Sequence, residues 1–251
     1  MSTCPTCLRV RDLVRDVPHN GGLKRLLAGV TFDLQEGQRL AVVGPSGSGK
    51  TTLLRQLCAL DSPTSGSLVL DDRPYDDWSP MELRRLVAWT PQTPTVFPGD
   101  GWTNLLLPAQ LAGADPAPVR ERLTPLLPLL GLTEELVAQP AATLSIGQQQ
   151  RLCLARALSL EPRVLLLDEP TASLDPSTAE HLLAALGEHL ARRGQSLVLV
   201  THQLPYARLL ADRVLLLVDG RQVCVQPTEE FFHAPATSEA AEYVAAMRSE
   251  S

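Results

Sequence analysis

Two short stretches hold the residue types that phosphate chemistry needs. In the first, Gly44-Pro45-Ser46-Gly47-Ser48-Gly49-Lys50-Thr51-Thr52, three glycines are spaced among small residues ahead of a lysine and two hydroxyls. Glycines let successive backbone N–H groups converge on an anion without Cβ collisions. Lys50 can then reach the β and γ phosphates of a nucleotide, the Thr51 hydroxyl suits Mg²⁺, and a helix starting here adds its positive end. The match to G-x-x-x-x-G-K-[ST] is complete. A glycine-rich turn between strand and helix would also explain the spacing. Lys24 and Lys50 are, however, the only lysines among 22 basic residues, and one of them sits where a phosphate would lie.

The second stretch, Val164-Leu165-Leu166-Leu167-Asp168-Glu169-Pro170, is an apolar run that ends on two carboxylates before a proline stops it. Beside a phosphate loop, Asp168 can hold Mg²⁺ through its water shell and Glu169 can polarise an attacking water. A solvated strand end accounts for acidic residues in general, but not for both carboxylates following so pure an apolar run.

These residues need a scaffold that brings them to one edge. Residues 40–43 read as the buried strand that feeds the glycine loop. Alternation over residues 8–13 and at Val30, Phe32 and Leu34 predicts antiparallel strands flanking it, and residues 67–70 a further short strand. A helix is expected over 80–86 and a strand up to Trp89. Nine of the 21 prolines fall between Pro91 and Pro140, which a parallel sheet would not tolerate. That window, with helical patches at 118–130 and a helix over 147–160, reads as an inserted helical subdomain. Strands at 164–167, 197–200 and 214–218 then alternate with helices near 177–192 and 204–210. The fold class is therefore α/β, a P-loop NTPase core with a mostly parallel sheet, an antiparallel β subdomain and an inserted α-helical subdomain. Asp219-Gly220 turns a hairpin. The division expected is 1–91 and 162–226 for the two parts of the core, 92–161 for the helical insert and 227–251 for a peripheral tail.

At 251 residues the chain can bury a sizeable core, and 44% hydrophobic residues is an ordinary globular share. No apolar run exceeds five residues, against the roughly 20 that span a bilayer, so a cytoplasmic location is expected. A net charge of −6 speaks against a broad nucleic-acid footprint. Cys58, Cys153 and Cys224 fall in apolar patterns and read as reduced core residues. Cys4 and Cys7 form a lone CxxC that lacks the second pair a zinc site wants.

Taken with four more motifs, this order of residues resembles the ATP-binding-cassette ATPase family from about residue 8 to residue 227. Leu144-Ser145-Ile146-Gly147-Gln148 is similar to the family's LSGGQ signature, Gln92 to its Q-loop glutamine, Ser173-Leu174-Asp175 to its D-loop and His202 to its switch histidine. The resemblance implies that ATP and Mg²⁺ bind at the glycine loop. It gives Glu169, His202 and Gln92 catalytic roles, Gln92 also touching the metal beside Thr51 and Asp168, and it places Ser145, Gly147, Gln148 and Asp175 on the nucleotide. The partner the resemblance implies is a second cassette, in a head-to-tail homodimer or pseudo-dimer that traps two ATP molecules, one between each loop and the opposite Ser145 helix. Ser145 and Gln148 also read simply as a helix capping box, which is compatible, since a capped helix start is an anion site. Ile146 stands where a glycine is usual.

The family's adenine-stacking aromatic has no counterpart, because residues 8–29 contain no Phe, Tyr or Trp. Arg15 or Val17 takes that place, and a guanidinium can stack on a base, so modest discrimination between ATP and GTP is expected. A separate multi-span permease is the implied membrane partner, leaving the ATPase peripheral at the inner face of the membrane, with Phe97 and Trp102 as candidate anchors. Residues 91–97 and 104–108 are similar to ATPases of the iron-export subfamily, which suggests metal export. Phosphate or amino-acid import and a permease-free ATPase are the alternatives.

Overall fold

The computed structural model describes residues 5–249. Two long strands open it, β1 (Thr6–His19) and β2 (Gly22–Gln35). The sequence showed only the halves remote from their connecting turn, because register shifts between Val10 and Leu13 and again beyond it break the period-two alternation. Contrary to expectation they do not flank the strand that feeds the glycine loop. With β4 (Ser65–Leu70) and β5 (Arg73–Pro74) they form a separate antiparallel sheet in the order β2-β1-β4-β5.

That feeding strand, β3 (Arg39–Val43), runs into α1 (Lys50–Leu57) and lies in a second sheet. Its other members are β6 (Val87–Thr90), which follows α2 (Pro80–Leu86), and β7 (Val164–Asp168), β8 (Ser196–Val200), β9 (Arg213–Val218) and β10 (Arg221–Pro227). Their order is β10-β9-β3-β8-β7-β6, parallel except for the β9–β10 hairpin. Strands buried on both faces are near-continuous apolar runs, and alternate residues go to opposite sides. Leu166, Val198 and Val42 join the core under the antiparallel sheet, while Leu165, Leu197 and Leu199 meet the helices.

Between β6 and β7 lie α3 (Gly101–Leu111), α4 (Pro116–Leu123), α5 (Glu134–Val137) and α6 (Ile146–Leu158). The patch expected at 118–130 is shorter as an α-helix, since Pro125 and Pro128 divert the chain into two 3₁₀ turns. After β7 come α7 (Pro176–Arg193) and α8 (Leu204–Leu210), and after β10 α9 (Thr228–His233) and α10 (Ser238–Ser249). The segment after 227, expected at the periphery, is packed onto the sheet: Phe231, Ala240 and Val244 join Val43 and Leu216 in one apolar cluster. Cys7 likewise lies in no tail. It is buried in β1 with Sγ 3.3 Å from the Leu34 carbonyl and 3.2 Å from Ser196 Oγ; Cys4 lies outside the described residues. Cys58, Cys153 and Cys224 are buried free thiols, and burial pushes Cys58 up to about 11. Among the described residues no helix is long and apolar enough to cross a membrane, and no cluster of His, Cys, Asp or Glu could hold a metal ion by itself.

Candidate active site

Four parallel strands, β6, β7, β8 and β3, end on the same edge of the sheet, where α/β proteins bind ligands. Register aligns them: Val42 pairs with Val200, and Val200 with Asp168. Asp168 was expected on the strand next to the glycine loop, but β8 lies between β3 and β7. The gap is closed from α1, whose first turn presents Thr51 so that its Oγ1 donates to Asp168 Oδ2 at 2.8 Å.

The loop keeps three glycines at positive φ, Gly44 (147°), Gly47 (78°) and Gly49 (103°). A Cβ at Gly44 would run into the Leu217 carbonyl, and one at Gly49 would come 2.6 Å from the Leu26 carbonyl. Space as well as conformation therefore demands glycine at both. Lys50 folds over the loop and donates from Nζ to the Gly44 and Pro45 carbonyls, both at 2.8 Å. Burial depresses its ammonium, against the pull of Glu169 and Asp168. Burial raises Asp168, which is 2% exposed, against Thr51 and Lys50. Ser46 is exposed, and Ser48 is buried inside the turn.

Glu169 is held in the left-handed region (φ 49°), and its N–H donates to the Val200 carbonyl at 3.0 Å. That turn carries its side chain across to β8, where His202 Nδ1 lies 2.9 Å from Glu169 Oε1. The carboxylate side chain is 10% exposed and the imidazole 57%, so the pair has one buried and one open member. Gln92 follows β6 and is exposed.

Ser145 caps α6: its hydroxyl accepts from the Gln148 N–H at 3.3 Å, and Gln148 Oε1 accepts from the Ser145 N–H at 2.8 Å. Gly147 packs beneath the Ser173–Asp175 loop, where a Cβ would come within 2.9 Å of Leu174. Asp175 caps α7 through the Thr178 N–H at 3.0 Å, and those hydrogen bonds hold its carboxyl below the usual range. Ile146 projects outward, 58% exposed. Arg15 is engaged elsewhere, donating to the Ser62 carbonyl at 2.8 Å beyond the far end of α1. Of the two aromatic anchors, Phe97 is 44% exposed, whereas Trp102 is buried in the helical core with Arg120 over its ring. Sequence reading missed Asn104, which is fully buried and bonds both the N–H and the carbonyl of Phe97, at 2.7 and 2.9 Å. A polar residue leading directly into Leu105, Leu106 and Leu107 was the available signal.

The fold has close counterparts among solved structures. A dimeric post-hydrolysis state of the ATP-binding cassette MJ0796 bound to ADP and Pi superposes with a TM-score of 0.81 at 28% identity, covering 88% of this chain and 98% of that one. The cbiO1 protein from Clostridium perfringens, part of the ABC transporter complex cbiONQ, gives 0.80 at 28% identity over 92% of each chain. Among curated proteins, ABC transporter I family member 17 of Arabidopsis thaliana is 39% identical over 90% of this chain and 84% of its own length. A probable amino-acid ABC transporter ATP-binding protein of Haemophilus influenzae is 35% identical, over 88% and 90%. The methionine import ATP-binding protein MetN of that organism is 37% identical over 87% of this chain, which spans 64% of MetN. The profile described as ABC transporter matches residues 27–172, more than half the chain and the span that holds both phosphate-chemistry stretches, so this protein belongs to the ABC transporter family and is one of its ATPases.

Proposed function

We propose that this chain is the ATP-hydrolysing subunit of a membrane transporter, working as a dimer that closes on ATP and coupled to a separate multi-span permease. The carrying observation is the continuous chain of contacts at one sheet edge, from Thr51 to Asp168 at 2.8 Å and from Glu169 to His202 at 2.9 Å. In this reading the loop N–H groups and Lys50 bind the phosphates of ATP. Thr51 and Asp168 offer hard oxygen donors of the kind Mg²⁺ takes, with Gln92 joining them from the end of β6. Bound there, Mg²⁺ supplies neutralisation of phosphate charge. Glu169 takes a proton from the water that attacks the γ-phosphate, and His202 holds that carboxylate in place. The phosphoryl group passes to water and leaves as phosphate, with ADP behind it.

Ser145, Gly147, Gln148 and Asp175 complete the site from the opposite copy. The dimeric MJ0796 structure supports that arrangement, and cbiO1's membership of a transporter complex supports a membrane partner and a peripheral cytoplasmic place. For cargo, the names of the bacterial relatives favour import of an amino acid, methionine included. Metal export rests on residues 91–97 and 104–108 alone and is the second reading. Adenine recognition through Arg15 is not favoured while its guanidinium serves Ser62. The test pairs Glu169→Gln with the wild type: ATP binding is expected unchanged while hydrolysis falls at least about 100-fold, and near-normal turnover would remove Glu169 as the base. Isolation of the chain with a multi-span membrane protein supports transport; ATPase activity in a stable complex with soluble proteins alone would overturn it.

A further inference from the structure

The last strand residue before the glycine loop is Val43, and the next peptide, at Gly44, is where the chain leaves the sheet. Its N–H donates to Tyr243 Oη at 3.1 Å, a side chain 199 positions further along on α10. The same helix is seated beside it by Ala240 and Val244, both buried in the cluster that contains Val43. Further along the loop, the Gly220 N–H of the β9–β10 turn donates to the Ser48 carbonyl at 2.9 Å, and the Gly220 carbonyl accepts from Ala28 at 2.8 Å. The loop is thus tied at Gly44 to a tyrosine hydroxyl and at Ser48 to the hairpin.

We propose that Tyr243 is a positioning residue for nucleotide binding, its hydroxyl fixing the Gly44 hinge in the conformation that presents the loop's N–H groups to phosphate. The bond matters at this place because Gly44, at φ 147°, has no side chain of its own to restrict its backbone. A binding-competent state that is only partly populated weakens apparent affinity in proportion.

The inference rests on the glycine loop being the nucleotide site, and three full-length variants separate the two claims. Tyr243→Phe keeps the ring and removes the acceptor. It is expected to raise the Kd for Mg²⁺-ATP about two- to tenfold, the size of one hydrogen bond, with kcat at saturating ATP unchanged. Val244→Ala loosens the helix but keeps the hydroxyl, and is expected to lower the melting temperature with Kd held. An unchanged Kd in Tyr243→Phe, or an equal rise in Val244→Ala, would overturn the proposal. Lys50→Ala reports on the site itself: loss of ATP binding upholds the loop as the site, whereas wild-type affinity there would sink that reading whatever Tyr243 does.

Discussion

At the scale of single residues, the site is built from charges that folding disfavours. Asp168 is almost wholly buried and its carboxyl is raised by that burial, while Lys50 is depressed by it. A carboxyl raised in the folded state takes up protons more readily there than in the unfolded chain. Its effect on stability therefore turns unfavourable as pH climbs from the ordinary carboxylate range through the raised value. Replacing Asp168 with Asn removes the buried charge while leaving an oxygen for the Thr51 hydroxyl. At pH 7 without Mg²⁺ the variant is expected to melt roughly 2–4 °C higher and to lose hydrolysis. A lower melting temperature in a thermal scan would contradict this assignment of function traded against stability. Asp168, Glu169 and His202 were legible in the sequence because each follows an apolar run that reads as a buried strand. Glu169's backbone turn was not, since nothing in Asp168-Glu169-Pro170 announces a left-handed glutamate.

At the scale of elements, the starts of α6 and α7 show how one residue serves both fold and site. Ser145 and Asp175 each satisfy free N–H groups of the helix they begin. Ser145→Ala is expected to cost about 0.5–2 kcal/mol of stability by denaturant titration; an unchanged midpoint would mean that the capping box contributes nothing. The 97–104 region behaves differently. Asn104 clamps Phe97's backbone from inside, so the ring sits at the surface under the Arg156 guanidinium, which also lines a groove of about 220 Å³ with Leu60, Trp89, Pro108 and Leu160. Phe97→Ala should leave ATP binding and basal hydrolysis intact and abolish stimulation by the permease; full stimulation would show that the ring is no anchor. Trp102 cannot share that role, because it is core. The proline count marked this region as irregular and helical, but spacing alone could not say which aromatic faced inward. That was decided by the closing of α3 on α6.

At the scale of the whole molecule, two sheets share one apolar core, and the parallel order brings four strand ends together. The alternation of strands and helices after residue 164 made the parallel sheet predictable. Strand order was not, because pairing of β3 with β8 and β9 is set by contacts across more than 150 residues. For the same reason the opening strands, though read as an antiparallel subdomain, were expected to flank β3, and the final helices were assigned to the periphery. The outward-facing Ser145 start of α6 and the phosphate loop are the surfaces that dimer closure would bring together, with ATP as the shared ligand. Sedimentation of Glu169→Gln tests this most directly. With Mg²⁺-ATP the mass is expected to double, and with ADP to remain that of one chain. A single-chain mass at saturating ATP, both alone and with its permease, would contradict the account.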